Sequence, residues 1–329
     1  MSEVALITGA SGFIGRWVRD ALLERGWDVV ALRRPASPPA SVGRSAEVDY
    51  ARTDTVRAVI ADEKPSIIVH VAGATKGVTR DDFSRANVVP TQALVDGVKG
   101  AEAPLSRFVL VSSLVSHGPS LPDRPHRDGD PAQPIEFYGE TKLEAERVVE
   151  NSGLPYVILR PGGVYGPGDV DYFKLFESAA KGMNLYFGNR RRLFSKIYVS
   201  DMVEFILKSI DVAQAENQSY FLCDGAPVAW ESFQDAIVAQ AGRKVRELDL
   251  PEFLTKLAAF GGETMTAFDG KPRLFNKQKV RMGAQEAWTC DPSRAFEHLD
   301  LRPKVDLEEG VRRAFAWYRE AGWLPRLEQ

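Results

Sequence analysis

The amino-acid sequence predicts an α/β fold: a doubly wound parallel sheet followed by a smaller, mixed α/β C-terminal lobe. Through the first half of the 329 residues, apolar runs of strand length alternate with amphipathic segments of helix length, as in a βαβ series. The runs are continuous stretches of Val, Ile and Leu, as expected for strands that helices cover on both faces. The predicted strands are Val4 to Thr8, Asp28 to Leu32, Ser66 to Ala72, Arg107 to Ser113 and Tyr156 to Pro161.

The alternation loosens after Gly168, where helices are mixed with short strands at Lys196 to Val199 and Tyr220 to Cys223. We therefore expect residues 1–166 to form the first domain, with about residues 195–225 returning to it. Residues 167–329 are expected to build mainly the second lobe.

Composition excludes several classes of protein. The chain carries 42 Lys plus Arg against 45 Asp plus Glu, and a net charge of −3 gives no general attraction for nucleic acid. Two cysteines, Cys223 and Cys290, are too few for a disulfide framework and lack zinc-site spacing, so no metal is expected. No stretch approaches the roughly 20 apolar residues of a membrane helix, and the first residues lack a basic leader. We expect a cytoplasmic protein.

A glycine-rich turn directly follows the first predicted strand. Gly9, Gly12 and Gly15 allow a tight turn, close approach of backbone N–H groups to a pyrophosphate, and close packing of helix on strand. A strand precedes the motif and a helical pattern follows it through Arg25, which is the context that a dinucleotide-binding turn requires. The sequence therefore predicts a bound dinucleotide.

The end of the second strand indicates which dinucleotide is bound. An acidic residue there would bind the ribose 2′-hydroxyl of NAD, whereas this chain has Arg33 and Arg34, whose guanidinium groups suit a 2′-phosphate. NADP is therefore favoured over NAD. The alternative is that the two arginines only solvate a loop.

Tyr138 and Lys142 open a predicted helical segment and lie on one helix face at i, i+4 spacing. An ammonium near a phenol lowers the phenol pKa from about 10, so that the tyrosine can exchange the proton of a carbonyl/alcohol couple. Ser112 and Ser113 close a buried strand at the sheet edge where such folds bind ligands. A serine hydroxyl there can hold the substrate oxygen near the tyrosine.

From Val4 to about Asp201 the chain resembles the extended short-chain dehydrogenase/reductases of the NAD-dependent epimerase/dehydratase family. The resemblance rests on ordered motifs: Thr8 to Gly15, Asp49-Tyr50, His70 to Gly73, Asn87, Ser112-Ser113, Tyr138 to Lys142, Arg160 to Gly168 and Tyr198 to Asp201. It implies a Rossmann-type dinucleotide-binding domain with Ser113, Tyr138 and Lys142 as the catalytic triad, and with Asn87 supporting the lysine. The implied cofactor-binding residues are Gly9, Ser11, Gly12, Phe13, Ile14, Gly15, Arg33, Arg34, Asp49, Tyr50, Val71, Ala72, Gly73, Ser112, Tyr138, Lys142, Pro161, Gly162 and Val164.

Departures from the family pattern indicate the kind of substrate. Leu114 and Val115 stand where dehydratases have an Asp-Glu pair. Gly163 and Phe194 stand where sugar-nucleotide enzymes often hold the diphosphate with Asn and Arg, although Arg190 to Arg192 lie close by. Arg281 falls near another diphosphate position of those enzymes, so a phosphorylated substrate stays open.

The C-terminal part resembles bacterial relatives of 3β-hydroxysteroid dehydrogenases, through Asn276 to Val280, Trp288 to Ala295 and Trp317 to Leu324. That branch implies a bulky apolar substrate, such as a sterol or a 3-oxo-ceramide. The apolar stripe between Leu250 and Phe260 either packs in the core, lines a lipid-sized pocket or touches a membrane surface. The expected substrate contacts are Thr75, Leu114, Val115, Gly163, Tyr165, Phe173, Arg192 and Phe194.

The sequence therefore predicts an NADPH-dependent reductase, or the reverse alcohol dehydrogenase, for a large apolar ketone. Two alternatives remain: a nucleotide-sugar epimerase, and a dinucleotide-sensing regulator without catalysis. The retained Tyr138 and Lys142 disfavour the regulator. The chain is expected to be a monomer or a homodimer, and the residues leave the choice open.

Overall fold

A computed structural model describes residues 3–269, 273 and 276–325 of the chain. Its centre is a seven-stranded parallel sheet of order β11-β6-β5-β4-β1-β2-β3. These strands are β1 (Val4–Thr8), β2 (Asp28–Arg33), β3 (Arg44–Glu47), β4 (Ile67–His70), β5 (Arg107–Val111), β6 (Tyr156–Pro161) and β11 (Gln218–Leu222). The predicted Rossmann-type α/β fold is thereby confirmed.

Helices cover both faces of the sheet, so that the strands are buried on both sides, as their continuous apolar runs require. The helices between or beside these strands are α1 (Phe13–Glu24), α2 (Thr53–Glu63), α3 (Arg80–Ala101), α4 (Phe137–Glu150) and α6 (Val199–Asp211). Helix α4 begins four residues before the predicted segment at Thr141, because Glu136 caps its N-terminus. Tyr138 therefore lies in the first turn of the helix.

The second lobe consists of short strands and helices packed on a third apolar cluster. Its strands are β7 (Gly163–Tyr165), β8 (Met183–Phe187), β9 (Leu193–Phe194), β10 (Lys196–Tyr198), β12 (Val228–Ala229), β13 (Arg246–Leu250) and β14 (Ala287–Trp288). Its helices are α5 (Phe173–Ala180), α7 (Trp230–Ala239), α8 (Glu252–Asp269), α9 (Lys277–Gly283) and α11 (Leu307–Glu320). Helix α10 (Ser293–His298) instead packs on the central sheet beside β11. Between the segments of this lobe the chain returns to the central sheet, where β11 pairs with β6 at the edge.

Helix α8 is only partly covered by the rest of the protein. Ala259 is buried, whereas Phe253, Leu257 and Phe260 are exposed, so the stripe in this segment does not pack in the core. Among the described residues, no helix combines the length and hydrophobicity needed to cross a membrane.

Candidate active site

A pocket of about 470 Å³ opens at the carboxyl ends of β1, β4, β5 and β6, where open α/β sheets bind their ligands. Ser113, Tyr138 and Lys142 all line it, so the structure brings the three predicted catalytic residues together. Of the predicted cofactor-binding residues, it is lined by Phe13, Ile14, Val71, Gly73, Ser112, Pro161, Gly162 and Val164.

Tyr138 is positioned by the cap of helix α4. The buried Glu136 carboxylate accepts hydrogen bonds from the backbone N–H groups of Tyr138 (2.8 Å) and Gly139 (2.5 Å). Burial raises the pKa of Tyr138 to about 12, and a hydrogen bond to the Ser113 side chain opposes the rise. The phenol is therefore protonated at neutral pH. The sequence did not single out Glu136, because glutamate is not among the preferred N-cap residues.

Lys142 lies one turn further along α4 and is buried. Its Nζ donates a hydrogen bond to the carbonyl of Val111 at 2.7 Å. Burial lowers the pKa of Lys142 to about 8, and the nearby Glu146 carboxylate opposes this fall. The sequence predicted that Lys142 would lower the pKa of Tyr138, but here the Tyr138 pKa is raised, because desolvation dominates.

Glu146 is a residue that the sequence analysis missed. It is fully buried and lies one turn beyond Lys142 on α4. One carboxylate oxygen accepts from the Ser112 hydroxyl, and the other accepts from Arg160 Nε at 2.9 Å. The Ser112 hydroxyl, predicted to face the cofactor, is thus committed to Glu146. The only signal for Glu146 in the sequence was its i+4 spacing from Lys142.

Asn87 does not bond to Lys142 directly. Its Oδ1 accepts from the backbone N–H of Ala74 at 2.9 Å, and its Nδ2 donates to Thr141 Oγ1 at 3.0 Å. Asn87 therefore ties the loop after β4 to the residue preceding Lys142. A Cβ on Gly73 would lie 2.8 Å from Asn87 Oδ1, so a larger residue there would displace the Asn87 amide.

His70 extends the same network into the sheet. Thr91 Oγ1 donates to the carbonyl of Asn87 (2.6 Å), so it accepts from His70 Nε2 (3.0 Å). His70 Nδ1 then accepts from Thr8 Oγ1 (2.6 Å). Burial holds the pKa of His70 at about 3, so the ring is neutral and fixed as one tautomer. The sequence showed His70 only as part of a motif, without this role.

The turn after β1 fits a dinucleotide phosphate. Gly9 adopts φ +74°, and a Cβ on Gly15 would lie 2.0 Å from the carbonyl oxygen of Gly9. Helix α1 begins with no side-chain cap and no acidic residue in its first turn, which leaves its N-terminal N–H groups for an anion. Predicted contacts Ser11 and Gly12 lie exposed in this turn, and Ala72 closes against Gly9.

The two arginines after β2 differ in their surroundings. Arg33 pairs with Glu47 at 2.8 Å and donates to the carbonyl of Ser37, whereas Arg34 is exposed and lies near Tyr50. Asp49 is exposed and accepts from the backbone of Ala51. Among the described residues, Arg34 makes no ion pair. Arg33 already has a carboxylate partner.

The predicted substrate residues divide into two groups. Pocket-lining positions are Thr75, Leu114, Val115, Gly163, Arg192 and Phe194. Tyr165 and Phe173 lie outside the pocket: Tyr165 is buried against Tyr198 and Phe233, and Phe173 packs on Tyr318 and Trp323. The neighbouring Tyr172 lines the pocket instead. Helix α5 begins at Phe173 and turns the Phe173 ring toward α11.

The outer wall of the pocket is mostly apolar. Trp230, Trp288 and Met282 complete it together with Leu193 and Phe194. The Arg192 guanidinium pairs with Glu252 at 3.0 Å and lies 3.8 Å from Glu286, and its buried Nε makes no hydrogen bond among the described residues. Among the described residues, no group of three or more His, Cys, Asp or Glu side chains could hold a metal ion.

The sequence profile of the NAD dependent epimerase/dehydratase family matches residues 5–223 of the chain. The chain belongs to this family. The resemblance predicted from its motifs is thus confirmed, and the protein is an NAD(P)-dependent enzyme that binds a nicotinamide dinucleotide.

Relatives with known names span several activities. A ceramide reductase of Caulobacter vibrioides is 29% identical, with 98% of this chain and 96% of that protein aligned. A 3-beta-hydroxysteroid dehydrogenase of Mycolicibacterium neoaurum is 30% identical over 78% of this chain and 75% of its own. The UDP-glucose 4-epimerase of Thermotoga maritima, solved with UDP-glucose, superposes with a TM-score of 0.80 at 20% identity, covering 97% of this chain and 99% of that one. This last likeness shows the fold.

Proposed function

We propose that this enzyme interconverts a ketone and a secondary alcohol on a bulky apolar or lipid-like substrate, with NADPH as the cofactor. The observation that carries the proposal is the pocket itself. Tyr138 and Ser113 face a cavity whose outer wall is aromatic and aliphatic, and whose Arg192 pairs with Glu252 and lies 3.8 Å from Glu286. A site built for a nucleotide diphosphate would present unbalanced cations there.

In this proposal each residue has a separate task. Ser113 holds the carbonyl oxygen, and Tyr138 Oη donates the proton to that oxygen. The raised pKa of Tyr138 suits a proton donor, because the phenol keeps its proton at neutral pH. Lys142 places a positive charge behind the developing phenolate. When bound, the nicotinamide supplies the hydride.

The cofactor preference follows from the loop after β2. Arg34 is the residue proposed to bind the 2′-phosphate, because Arg33 is already held by Glu47 and by the carbonyl of Ser37. The glycine turn and the uncapped start of α1 would hold the pyrophosphate.

The ceramide reductase and 3-beta-hydroxysteroid dehydrogenase relatives support a lipid or steroid ketone as the substrate class. A second candidate is nucleotide-sugar epimerisation, which is favoured by a UDP-glucose 4-epimerase of Vibrio cholerae, 26% identical over 98% of this chain. The two reactions differ in their balance: reduction consumes NADPH, whereas epimerisation returns the hydride to its substrate.

One arm of the test incubates the enzyme with NADPH deuterated at nicotinamide C4 and either a 3-oxo-ceramide or a 3-ketosteroid. A second arm incubates the enzyme with the oxidised cofactor, NAD⁺ or NADP⁺, and UDP-glucose. We expect stoichiometric NADPH consumption and one deuterium in the alcohol from one of the ketones. Interconversion of UDP-glucose and UDP-galactose without net reduction of the oxidised cofactor would contradict the proposal and favour the epimerase. Binding of NADPH without turnover of any substrate would favour a dinucleotide-sensing regulator.

A further inference from the structure

We infer that helix α8 docks the protein on an anionic lipid surface through an exposed apolar face formed by Phe253, Leu257 and Phe260. These side chains are 63%, 64% and 69% exposed. Their spacing of i, i+4 and i+7 places them on one side of the helix. Three large apolar side chains side by side on one helix form a contiguous patch, which marks an interaction surface more often than a scattered apolar residue does.

The rest of α8 shows that the helix is already packed on its other side. Ala259 is buried, and Glu252 in the first turn pairs with Arg192. At its far half, Glu263 pairs with Lys277 of α9 at 2.8 Å and also accepts from the backbone of Lys277 at 3.0 Å. The helix is therefore anchored to the lobe by polar contacts, while Phe253, Leu257 and Phe260 face outward.

The charge beside this face selects the occupant. Helix α9, which packs on α8, has three basic residues and no acidic one. Lys277 pairs with Glu263, whereas Arg281 is exposed and makes no ion pair among the described residues, although the whole chain has a net charge of −3. Apolar side chains flanked by cations suit an anionic membrane interface. A second copy docking through the same face would bring the two basic α9 helices together, which electrostatic repulsion disfavours.

Helix α9, which packs on α8, forms part of the pocket wall. Met282 and Gly283 of α9 line the pocket, and Gln278 Oε1 accepts from the backbone N–H of Phe137 at the start of the catalytic helix at 2.7 Å. The docking face thus adjoins the substrate site. This inference rests on the proposed function in one respect, since a lipid-like ketone would reach the pocket from the membrane.

The test is flotation of the full-length protein with vesicles of phosphatidylcholine and phosphatidylglycerol at 70:30, and with vesicles of phosphatidylcholine alone. The triple variant Phe253→Ser, Leu257→Ser, Phe260→Ser removes the apolar face. The matched control is Leu121→Ser, because Leu121 is 60% exposed on a loop outside this face. Circular dichroism and NADPH titration verify that each variant is folded.

We expect wild type and Leu121→Ser to float with the anionic vesicles, and the triple variant to lose about tenfold or more of its partitioning. Arg281→Glu, which breaks no ion pair among the described residues, should weaken binding to the anionic vesicles by about tenfold, with little effect on neutral ones. Equal partitioning of wild type and triple variant would overturn the inference. Failure of the wild-type protein to bind vesicles would also overturn it. A wild-type protein that is dimeric and binds no vesicles, with a monomeric triple variant, would overturn it as well.

Turnover of a short, water-soluble ketone separates this inference from the proposed function. The triple variant should keep that turnover while losing turnover of a ketone embedded in vesicles. Vesicle binding without turnover of any ketone would contradict the proposed function alone. Full turnover of the embedded ketone by the triple variant would contradict the docking face alone.

Discussion

Glu146 and Arg160 form a buried ion pair, with Arg160 Nε 2.9 Å from Glu146 Oε2, that joins the catalytic helix α4 to strand β6. The other Glu146 oxygen holds the Ser112 hydroxyl. The carboxylate is thus satisfied from both sides without water, one helical turn behind Lys142. The pair fixes the catalytic helix relative to the sheet and places a negative charge near the lysine.

Removing this carboxylate should destabilise the fold. Glu146→Gln leaves the guanidinium of Arg160 buried without its main counter-charge, for which we expect a loss of about 3 kcal/mol in the free energy of unfolding. The matched control is Glu150→Gln, because Glu150 lies 3.8 Å from the same guanidinium but is more exposed. That control should change stability by less than about 1 kcal/mol. Urea denaturation measures both; equal losses would show that Glu146 has no special role.

The pH dependence of reduction should follow Lys142. Its pKa in the folded protein is about 8, so the ammonium is present below that pH and is lost as the pH rises through it. We expect kcat to fall above about pH 8. Since Glu146 supports the charged lysine, Glu146→Gln should move this fall to lower pH. The pH profiles of kcat for both proteins check this. An unshifted profile in the variant would show that Glu146 does not affect the pKa of the titrating group.

The two arginines should contribute unequally to cofactor choice. Arg34→Ala should weaken NADPH binding by roughly tenfold or more and leave NADH binding unchanged, because one charge-assisted contact to the 2′-phosphate is lost. Arg33→Ala should have a smaller effect, since that guanidinium already pairs with Glu47. Calorimetric titration with both cofactors measures the difference. If Arg34→Ala lost affinity for NADPH and NADH equally, Arg34 would not recognise the 2′-phosphate and would only stabilise the loop.

We expect His70 to stabilise the fold and to take no part in proton transfer. His70→Leu leaves the hydroxyls of Thr8 and Thr91 without their buried partner, and we expect a loss of about 2–3 kcal/mol in stability. Because burial holds the His70 pKa at about 3, His70 does not titrate between pH 5 and 8. We therefore expect the variant and wild type to show the same pH dependence of activity over that range. Thermal unfolding and a pH profile test the two statements. A lost acidic limb would show that His70 titrates in the working range.

Much of the fold was predictable because buried parallel strands carry continuous apolar runs. Strand β3 was missed, since Arg44–Glu47 is an exposed edge strand without such a run. Tyr138, Lys142 and Ser113 were predictable from local motifs, and the structure places them around one pocket. Glu146 and His70 were not recognised, because their partners Arg160 and Thr91 lie on other elements and only the fold brings them together.

The substrate side was less predictable. A one-residue choice decides between Tyr172, which lines the pocket, and Phe173, which packs on Tyr318. That choice depends on where helix α5 begins, and helix boundaries are the part of a pattern with the weakest signal. The apolar stripe of α8 had the periodicity of a core helix, and only the packing of the lobe shows that Phe253 and Leu257 are exposed.

The most direct test of the central claim is stopped-flow oxidation of NADPH by a keto-lipid, comparing wild type with Tyr138→Phe and Tyr172→Phe. Both tyrosines line the pocket, but only Tyr138 is hydrogen-bonded to Ser113. The account predicts that Tyr138→Phe lowers the rate by about 100-fold or more with unchanged NADPH affinity, whereas Tyr172→Phe stays within a few-fold of wild type. A Tyr138→Phe enzyme that reduces the ketone at the wild-type rate would contradict it.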